Sequence, residues 1–259
     1  MSEKKAETPV TAEQTKQVPR CIIVQGDKGG VGKSFVARAL ADYLRNKEEK
    51  LLIIDSDTSN PDVSRMFESH LPCKLADLDN GDGWMDVIDY IVGYKDHTII
   101  INTPGGIGKH MKKHIKLLVD YLSKQNIPLE LWWTLSLNHD AVNLLENAYK
   151  EYGHHFAKLR VVCNLHFSDG NHAPYCLWEG PFRSNIENAG GMTIWFPGLH
   201  IRVVNKLFNP ANVIPFSVAV DASLGEAVGL TTSEQYKLMG WCEEIAICFA
   251  PAFSHSIHK

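Results

Sequence analysis

Hydrophobic positions along the chain form short apolar runs that alternate with longer segments of helical periodicity. Runs of strand length span residues 21–25, 51–55, 97–102, 129–136, 159–164 and 213–216. The four residues from Leu51 to Ile54 are all apolar, which is typical of a parallel strand that helices cover on both faces. The alternation predicts an α/β fold with a single doubly wound, mostly parallel sheet flanked by helices.

Two segments carry clear signals for helices. Residues 33–46 are amphipathic and begin directly after the first apolar run, and residues 231–249 open with Thr231 and Glu234, the spacing of a capping box. In the second segment, one face carries Leu238, Cys242, Ile245 and Phe249. This stripe can serve as a membrane or partner surface, but we interpret it as a face that packs on the sheet.

The domain organisation follows from length and from changes in composition. A chain of 259 residues is ordinary for one large domain. Its polar start has little to bury. Residues between 165 and 212 lose the periodic pattern, become rich in Gly, Pro, Asn and aromatic residues, and keep only a short strand-like piece near 193–196. We expect a disordered N-terminal tail at 1–19, one domain at 20–254 with a structured insertion around 165–212, and a C-terminal tail at 255–259.

Charge and hydropathy exclude several classes of protein. The formal net charge is -4, which argues against nucleic-acid binding over the whole surface and leaves a local basic patch open. No apolar run approaches the roughly 20 residues that cross a bilayer, and the first residues lack the apolar core of a signal peptide. These features predict a cytoplasmic protein without a membrane anchor. The six cysteines are scattered, which favours buried thiols over a disulfide framework or a metal cluster.

A glycine-rich loop lies between the first predicted strand and the first predicted helix. Residues 25–34 read Gln-Gly-Asp-Lys-Gly-Gly-Val-Gly-Lys-Ser. Glycines allow positive φ and turn successive N–H groups towards phosphate oxygens, while the helix directs its positive end at the same anion. In this role Lys33 bridges β- and γ-phosphates and the Ser34 hydroxyl is a ligand of Mg²⁺. The predicted nucleotide contacts are Gly29, Gly30, Val31, Gly32, Lys33, Ser34 and Phe35. A chance glycine-rich loop is the alternative.

Within this loop, residues 28–34 resemble the signature of the ParA/MinD family of deviant Walker A P-loop ATPases. Asp27 stands where the generic phosphate-loop motif has glycine. The resemblance implies ATP and Mg²⁺ as cofactors and a homodimer that forms on ATP binding. It also implies that Lys28 reaches the phosphates held by the partner subunit, where an ammonium stabilises developing negative charge. For Lys28, a solvated loop charge is the alternative.

Two further segments are similar to motifs of the same family. Asp55 and Asp57 match its Asp-x-Asp, which implies that Asp57 orients the attacking water and that Asp55 supports the metal shell; capping of the loop is the alternative. Residues 102–106 align with its Asp-Thr-Pro-x-Gly switch, but Asn102 replaces the aspartate. Because an amide offers no net charge to a divalent ion, metal affinity is reduced and slow hydrolysis is expected. The predicted catalytic residues are Lys28, Lys33 and Asp57, and the predicted metal residues are Ser34, Asp55 and Asn102.

The resemblance also suggests contacts with the base. Asn164 closes an apolar run and is similar to the family's adenine-contacting asparagine, and Pro215 lies in an Ile-Pro-Phe segment similar to one that borders the adenine ring. A turn role for Asn164 and a simple strand end at Pro215 are the alternatives.

A basic stripe follows the second switch, which is the segment at residues 102–106. Lys109, Lys112, Lys113 and Lys116 share one helical face. The stripe can contact DNA phosphates or an acidic protein partner, and a solvated face is the alternative.

Together these features predict a ParA/MinD-like ATPase that dimerises around nucleotide, hydrolyses ATP and works with a protein partner in plasmid partition, stability or conjugative transfer. Residues near Trp178 and the unusual second switch suggest similarity to plasmid proteins such as TraL or StbB. The alternatives are a nucleotide-gated binding module with negligible hydrolysis and a small-molecule kinase or synthetase. An iron–sulfur reductase is disfavoured because no cysteine follows the switches in a position to bridge a cluster.

Overall fold

A computed structural model describes residues 18–26, 28–209 and 213–254. Most of the predicted N-terminal tail, Asp27 and the predicted C-terminal tail therefore lie outside the described residues. The strands are β1 (Cys21–Gly26), β2 (Leu51–Asp55), β3 (Cys73–Leu75), β4 (Thr98–Asn102), β5 (Leu129–Leu135), β6 (Lys158–Asn164) and β7 (Met192–Phe196). The helices are α1 (Lys33–Asn46), α2 (Asp62–Phe67), α3 (Gly81–Val92), α4 (Gly108–Lys124), α5 (Ala141–Tyr152), α6 (Pro181–Asn188), α7 (Ile201–Leu207), α8 (Phe216–Ala219), α9 (Ala222–Ala227) and α10 (Thr232–Phe253).

The strands form one seven-stranded sheet in the order β3-β2-β4-β1-β5-β6-β7. Every pair of neighbouring strands is parallel. All strand carboxyl ends therefore lie at the same edge of the sheet, and β1 in its middle has β4 on one side and β5 on the other. In open α/β sheets of this kind, ligands bind outside the carboxyl ends of the strands where the strand order reverses.

Two hydrophobic cores cover the two faces of the sheet. Alternate residues of β1 illustrate the division, because Ile22 and Val24 join one core while Cys21 and Ile23 join the other. Helices α1, α2, α7, α8 and α10 contribute to the first core, and α3, α4, α5 and α6 to the second. The doubly wound fold predicted from sequence is confirmed.

Most predicted elements agree with the structure to within one residue at each end. Helix α1 has the predicted bounds, and α10 begins with the capping box of Thr231 and Glu234. The predicted apolar stripe of α10 is buried at Leu238, Ile245 and Phe249, which confirms that this face belongs to the core. Across the described ranges, no helix combines the length and the apolar character that crossing a bilayer requires.

The strand predicted at residues 213–216 is wrong. Residues 213–215 have no regular structure and Phe216 begins the short helix α8. The burial of Phe216 against the helical layer explains the apolar signal, since a short apolar run does not distinguish a strand from a buried loop. The last strand is instead β7, which pairs with β6 and confirms the strand-like piece near residues 193–196. Whether residues 165–212 form a separate insertion stays a prediction.

Candidate functional site

Polar side chains are buried where the strands end. Asp55 closes β2, Asn102 closes β4 and Asn164 closes β6, and each is at most 1% exposed. Buried polar groups require hydrogen-bond partners or a ligand, because burial without one is unfavourable. The carboxyl edge of the sheet is therefore the part of the molecule built for polar chemistry.

The glycine-rich loop connects β1 to α1 at this edge. Gly30 and Gly32 have φ of 78° and 95°, and Gly32 occupies the position before α1 without a side-chain cap for the helix. N–H groups of the first helical turn are therefore left for an anion. The Lys33 ammonium lies within the loop and donates to the Lys28 carbonyl at 2.9 Å, although the side chain is only 6% exposed. This arrangement fits a bound phosphate group.

Lys28 forms an ion pair with an acidic residue outside the phosphate loop. Its ammonium donates to both carboxylate oxygens of Asp140 at 3.0 Å, and both side chains are about half exposed. Asp140 immediately precedes α5, and the hydrogen bond from Lys28 lowers the pKa of its carboxyl. The lysine that resembles the family signature therefore lies against an acid of its own chain.

Asn102 links the two strands beside the loop. Its amide nitrogen donates to Asp55 Oδ1 at 2.9 Å and to Ser34 Oγ at 3.3 Å. Asp55 Oδ1 also accepts from the N–H of Asp57, and Asp55 Oδ2 accepts from the N–H groups of Val63 and Ser64. Burial raises the pKa of Asp55, and these hydrogen bonds oppose the shift because they favour the charged form.

The predicted metal residues differ in what they can offer a cation. The Ser34 hydroxyl is half-buried and has a second lone pair beyond the one that faces Asn102, so it fits Mg²⁺. A carboxylate has about four acceptor positions, and hydrogen bonds occupy this number at Asp55. Asp55 therefore does not fit as a direct ligand in this arrangement.

Two segments lie beside the loop, the first switch at residues 55–57 and the second switch at residues 102–106. Asp57 lies on the partly exposed rim, where its Oδ1 accepts from the Ser59 hydroxyl and the Asn60 N–H. After β4, a side chain added at Gly105 would contact the backbone of Gly29 at 3.1 Å. The second switch therefore packs directly on the glycine-rich loop.

Asn164 anchors the far side of the loop. Its amide nitrogen donates to the Val31 carbonyl at 3.2 Å and its Oδ1 accepts from the His166 N–H at 3.2 Å. In the sheet register, Asn164 pairs with Phe196, so Pro197 lies directly beyond the adjacent strand end. A cavity of about 760 Å³ opens between the segments after β6 and β7 and helix α10, and Pro197 lines it.

Pro215 and the side chain of Phe35 were predicted to contact the nucleotide, but they lie away from this cavity. Pro215 does not line this cavity and instead precedes α8. The Phe35 ring stacks on Trp241 with centroids 5.4 Å apart, so its side chain belongs to the core and only its backbone N–H is left to approach a phosphate. The roles of both residues stay predictions.

The basic stripe lies on the exposed face of α4, and each of its four lysines is exposed. Lys112 pairs with Glu151 at 2.8 Å, and Lys116 pairs with Asp120 at 2.7 Å. Only part of the predicted positive charge therefore remains to attract an anionic partner.

Sequence reasoning missed Asp140 and Pro197. No local signal marks Asp140, since it lies 112 residues from Lys28. For Pro197, the apolar run that ends at Phe196 gives a signal, because a proline directly after a buried strand lies at the ligand-binding edge.

Comparisons with known proteins agree with this geometry. A model of the ParA family, described as NUBPL iron-transfer P-loop NTPase, matches residues 17–85. Protein MobD of Acidithiobacillus ferrooxidans is 32% identical over 190 residues, which are 72% of this chain and 81% of MobD. An iron-sulfur cluster carrier protein of Helicobacter pylori is 32% identical over 62 residues, which are 24% of this chain and 17% of the carrier.

Among solved structures, a nucleotide-binding protein of Archaeoglobus fulgidus in complex with ADP is similar over 93% of this chain and 95% of its own. Its sequence identity is 15% and its TM-score is 0.46, so the likeness adds nothing to the assignment. The extent of the match to MobD, together with the ParA model over the loop and first switch, shows that the chain belongs to the ParA/MinD-type family of P-loop NTPases.

Proposed function

We propose that this protein is an ATPase that binds ATP at residues 28–35, dimerises around the nucleotide and hydrolyses it slowly. We further propose that this cycle serves plasmid partition, stability or conjugative transfer through a protein partner. The observation that carries the proposal is the loop itself, in which two glycines at positive φ lead into an uncapped helix beside the buried Lys33. Such a site favours a phosphate chain over a neutral ligand.

Each residue of the site has a proposed part in the chemistry. Lys33 neutralises the β- and γ-phosphates, and the Ser34 hydroxyl supplies the side-chain ligand that fits Mg²⁺. Asp57, on the rim of the site, holds the attacking water in line with the phosphorus. Asn164 faces the base, with Pro215 as the predicted ring contact and Pro197 as a second candidate because it lines the adjoining cavity.

Dimerisation gives Lys28 its proposed role. In the monomer its ammonium is paired with Asp140 in an exposed ion pair, which costs little to break. On dimerisation the ammonium would move to the phosphates of the partner subunit. Sedimentation of the protein with ADP, ATP and a non-hydrolysable analogue tests this step: a dimer that appears only with the triphosphates supports it, and a nucleotide-independent mass argues against it.

Substitution of Lys33 tests the binding site. Loss of a buried ammonium that contacts phosphate predicts that Lys33→Ala weakens ATP binding by at least about 30-fold. Lys47→Ala is the control, because Lys47 is an exposed lysine at the opposite end of α1. Equilibrium dialysis with ATP and a thermal melt of each variant separate lost binding from lost folding. Unchanged affinity of a folded Lys33→Ala variant would refute the assignment.

Asn102 favours a second candidate, a nucleotide-gated binding module with negligible hydrolysis. A neutral amide next to the phosphates attracts a divalent ion less than an aspartate does. Phosphate release in a single turnover distinguishes the two: release of one phosphate per site supports an ATPase, and a bound ATP that persists supports the module. A small-molecule kinase or synthetase is disfavoured because it has no use for Lys28 as a group that acts across a dimer.

We propose no iron-related function for this chain, because its cysteines do not favour one. Burial raises the pKa values of Cys73, Cys242 and Cys248 to about 12 and also raises those of Cys21 and Cys163, so these five thiols are protonated when no metal is bound. Within the described ranges, no group of three or more His, Cys, Asp or Glu side chains could hold a metal ion.

DNA remains a candidate target of the basic stripe on α4. Lys109 and Lys113 extend the exposed face on which Lys112 and Lys116 already have acidic partners. We propose that this face contributes a salt-sensitive contact to DNA or to an acidic protein.

A further inference from the structure

The hydrogen bonds around Asp55 leave the carboxylate without a free acceptor position. Oδ1 accepts from Asn102 at 2.9 Å and from the Asp57 N–H at 3.3 Å, while Oδ2 accepts from the Val63 and Ser64 N–H groups at 3.0 Å each. The side chain is fully buried. Four donors therefore meet the roughly four lone pairs of the ionised group, and its hydrogen-bonding positions are filled by the protein alone.

Asn102 completes this arrangement because its amide nitrogen carries two hydrogens. One goes to Asp55 Oδ1 and the other to Ser34 Oγ, so a single side chain joins the first switch to the start of α1. The orientation of the amide is fixed by its neighbour, since the opposite orientation would place two oxygens in contact. The remaining atom, Oδ1 of Asn102, is buried without a hydrogen-bond partner among the described residues and offers a dipole but no charge.

The sheet register forces the two groups together. Asp55 and Asn102 are directly paired positions of the parallel strands β2 and β4, and the Ser56 N–H donates to the Asn102 carbonyl at 2.9 Å. A carboxylate at position 102 would face the Asp55 carboxylate at hydrogen-bond distance. Two such groups share a proton unless a cation separates them, so residue 102 decides whether a bound cation is favoured at this edge.

Resting on the proposed ATP binding, we propose that the amide of Asn102 takes the structural place of a divalent cation, so that the phosphate site assembles and holds ATP with little dependence on Mg²⁺. The affinity for ATP then comes from the backbone N–H groups of the loop, the N-terminal end of α1, and Lys28 and Lys33. A magnesium ion can still accompany the phosphates through the Ser34 hydroxyl and its own waters, but it adds little to binding.

The test compares ATP binding in excess Mg²⁺ and in EDTA by equilibrium dialysis, for the wild-type protein, Asn102→Asp and Asn126→Asp. Asn126 is the matched control, since it is an exposed asparagine in the turn after α4, before β5 begins. For the wild type and Asn126→Asp, we expect affinities in the two media to agree within about threefold. For Asn102→Asp, we expect binding at least about tenfold tighter in Mg²⁺ than in EDTA, because the added carboxylate needs a cation.

The possible outcomes test magnesium independence, the role of residue 102 and ATP binding separately. Wild-type affinity that falls by more than about 30-fold in EDTA overturns the inference while the proposed ATP binding stands. An Asn102→Asp variant without preference for Mg²⁺ overturns the part assigned to residue 102. Absence of ATP binding in both media refutes the proposed function as well. The wild-type comparison needs no variant, and a thermal melt of Asn102→Asp in both media shows whether the variant is folded when it is titrated.

Discussion

Comparison of Gly32 with Gly30 distinguishes two reasons for glycine in the phosphate loop, a backbone with positive φ and the lack of space for a side chain. Both have positive φ, at 95° and 78°. A side chain added at Gly32 would lie 2.4 Å from the amide nitrogen of Asn164, whereas one added at Gly30 would have no heavy atom within 4 Å among the described contacts. We therefore expect Gly30→Ala to cost backbone strain alone and Gly32→Ala to cost strain and the Asn164 anchor.

The magnitudes follow from these contacts. A non-glycine residue at positive φ costs about 1–2 kcal/mol, partly offset by about 0.4–1 kcal/mol because alanine restricts the unfolded chain. Gly30→Ala should therefore destabilise the protein by roughly 1 kcal/mol. At Gly32 the displaced Asn164 also loses its bond to the Val31 carbonyl, and leaving buried polar groups unpaired costs about 1–3 kcal/mol. The expected total for Gly32→Ala is about 2–4 kcal/mol.

Thermal unfolding measures the difference. In a protein of this size 1 kcal/mol shifts Tm by roughly 2–4 °C, so Gly32→Ala should melt about 5–12 °C below wild type and Gly30→Ala only a few degrees below. Asn164→Ala provides the control, because it removes the atom in conflict. In that background, Gly32→Ala should cost no more than Gly30→Ala does in the wild type. Equal effects of the two alanine variants in the wild-type protein would refute the reasoning.

Two further predictions concern ion pairs. The hydrogen bond from Lys206, followed by that from the Thr231 N–H, lowers the pKa of Glu234 to about 2, below the roughly 4.3 of an unfolded chain. The ionised carboxylate stabilises the fold fully above the pKa of the unfolded chain, and this stabilisation is lost as pH falls towards the pKa of the folded state. The difference in Tm between wild type and Glu234→Gln should therefore shrink between about pH 4.3 and 2. A constant difference would contradict the assignment. Because the pair of Lys28 and Asp140 is exposed, Asp140→Ala should leave Tm almost unchanged and leave ATP-dependent sedimentation as a dimer intact; loss of that dimer would show that Asp140 acts in assembly.

The sequence by itself determined the features that arise from neighbouring residues. Apolar runs identified β1, β2, β4, β5 and β6, because strands covered on both faces are mostly apolar, and the strand-like piece near residues 193–196 identified β7. The glycine-rich loop and the start of α1 were also predictable, since glycine and helix-terminus chemistry act within a few residues. The three residues of β3 were too few for a pattern, and the run at 213–216 was apolar because Phe216 is buried in a helical layer.

Only the tertiary structure decided which distant groups meet at the site. The register of β2 and β4 brings Asn102 to Asp55, and the order of the strands brings Asp140 within reach of Lys28. Sequence patterns record burial and local hydrogen bonding, but they do not record which strands become neighbours. The sequence alone therefore predicts the phosphate loop. Which side chains pair with the polar and charged groups of that site depends on the order of the strands in the sheet.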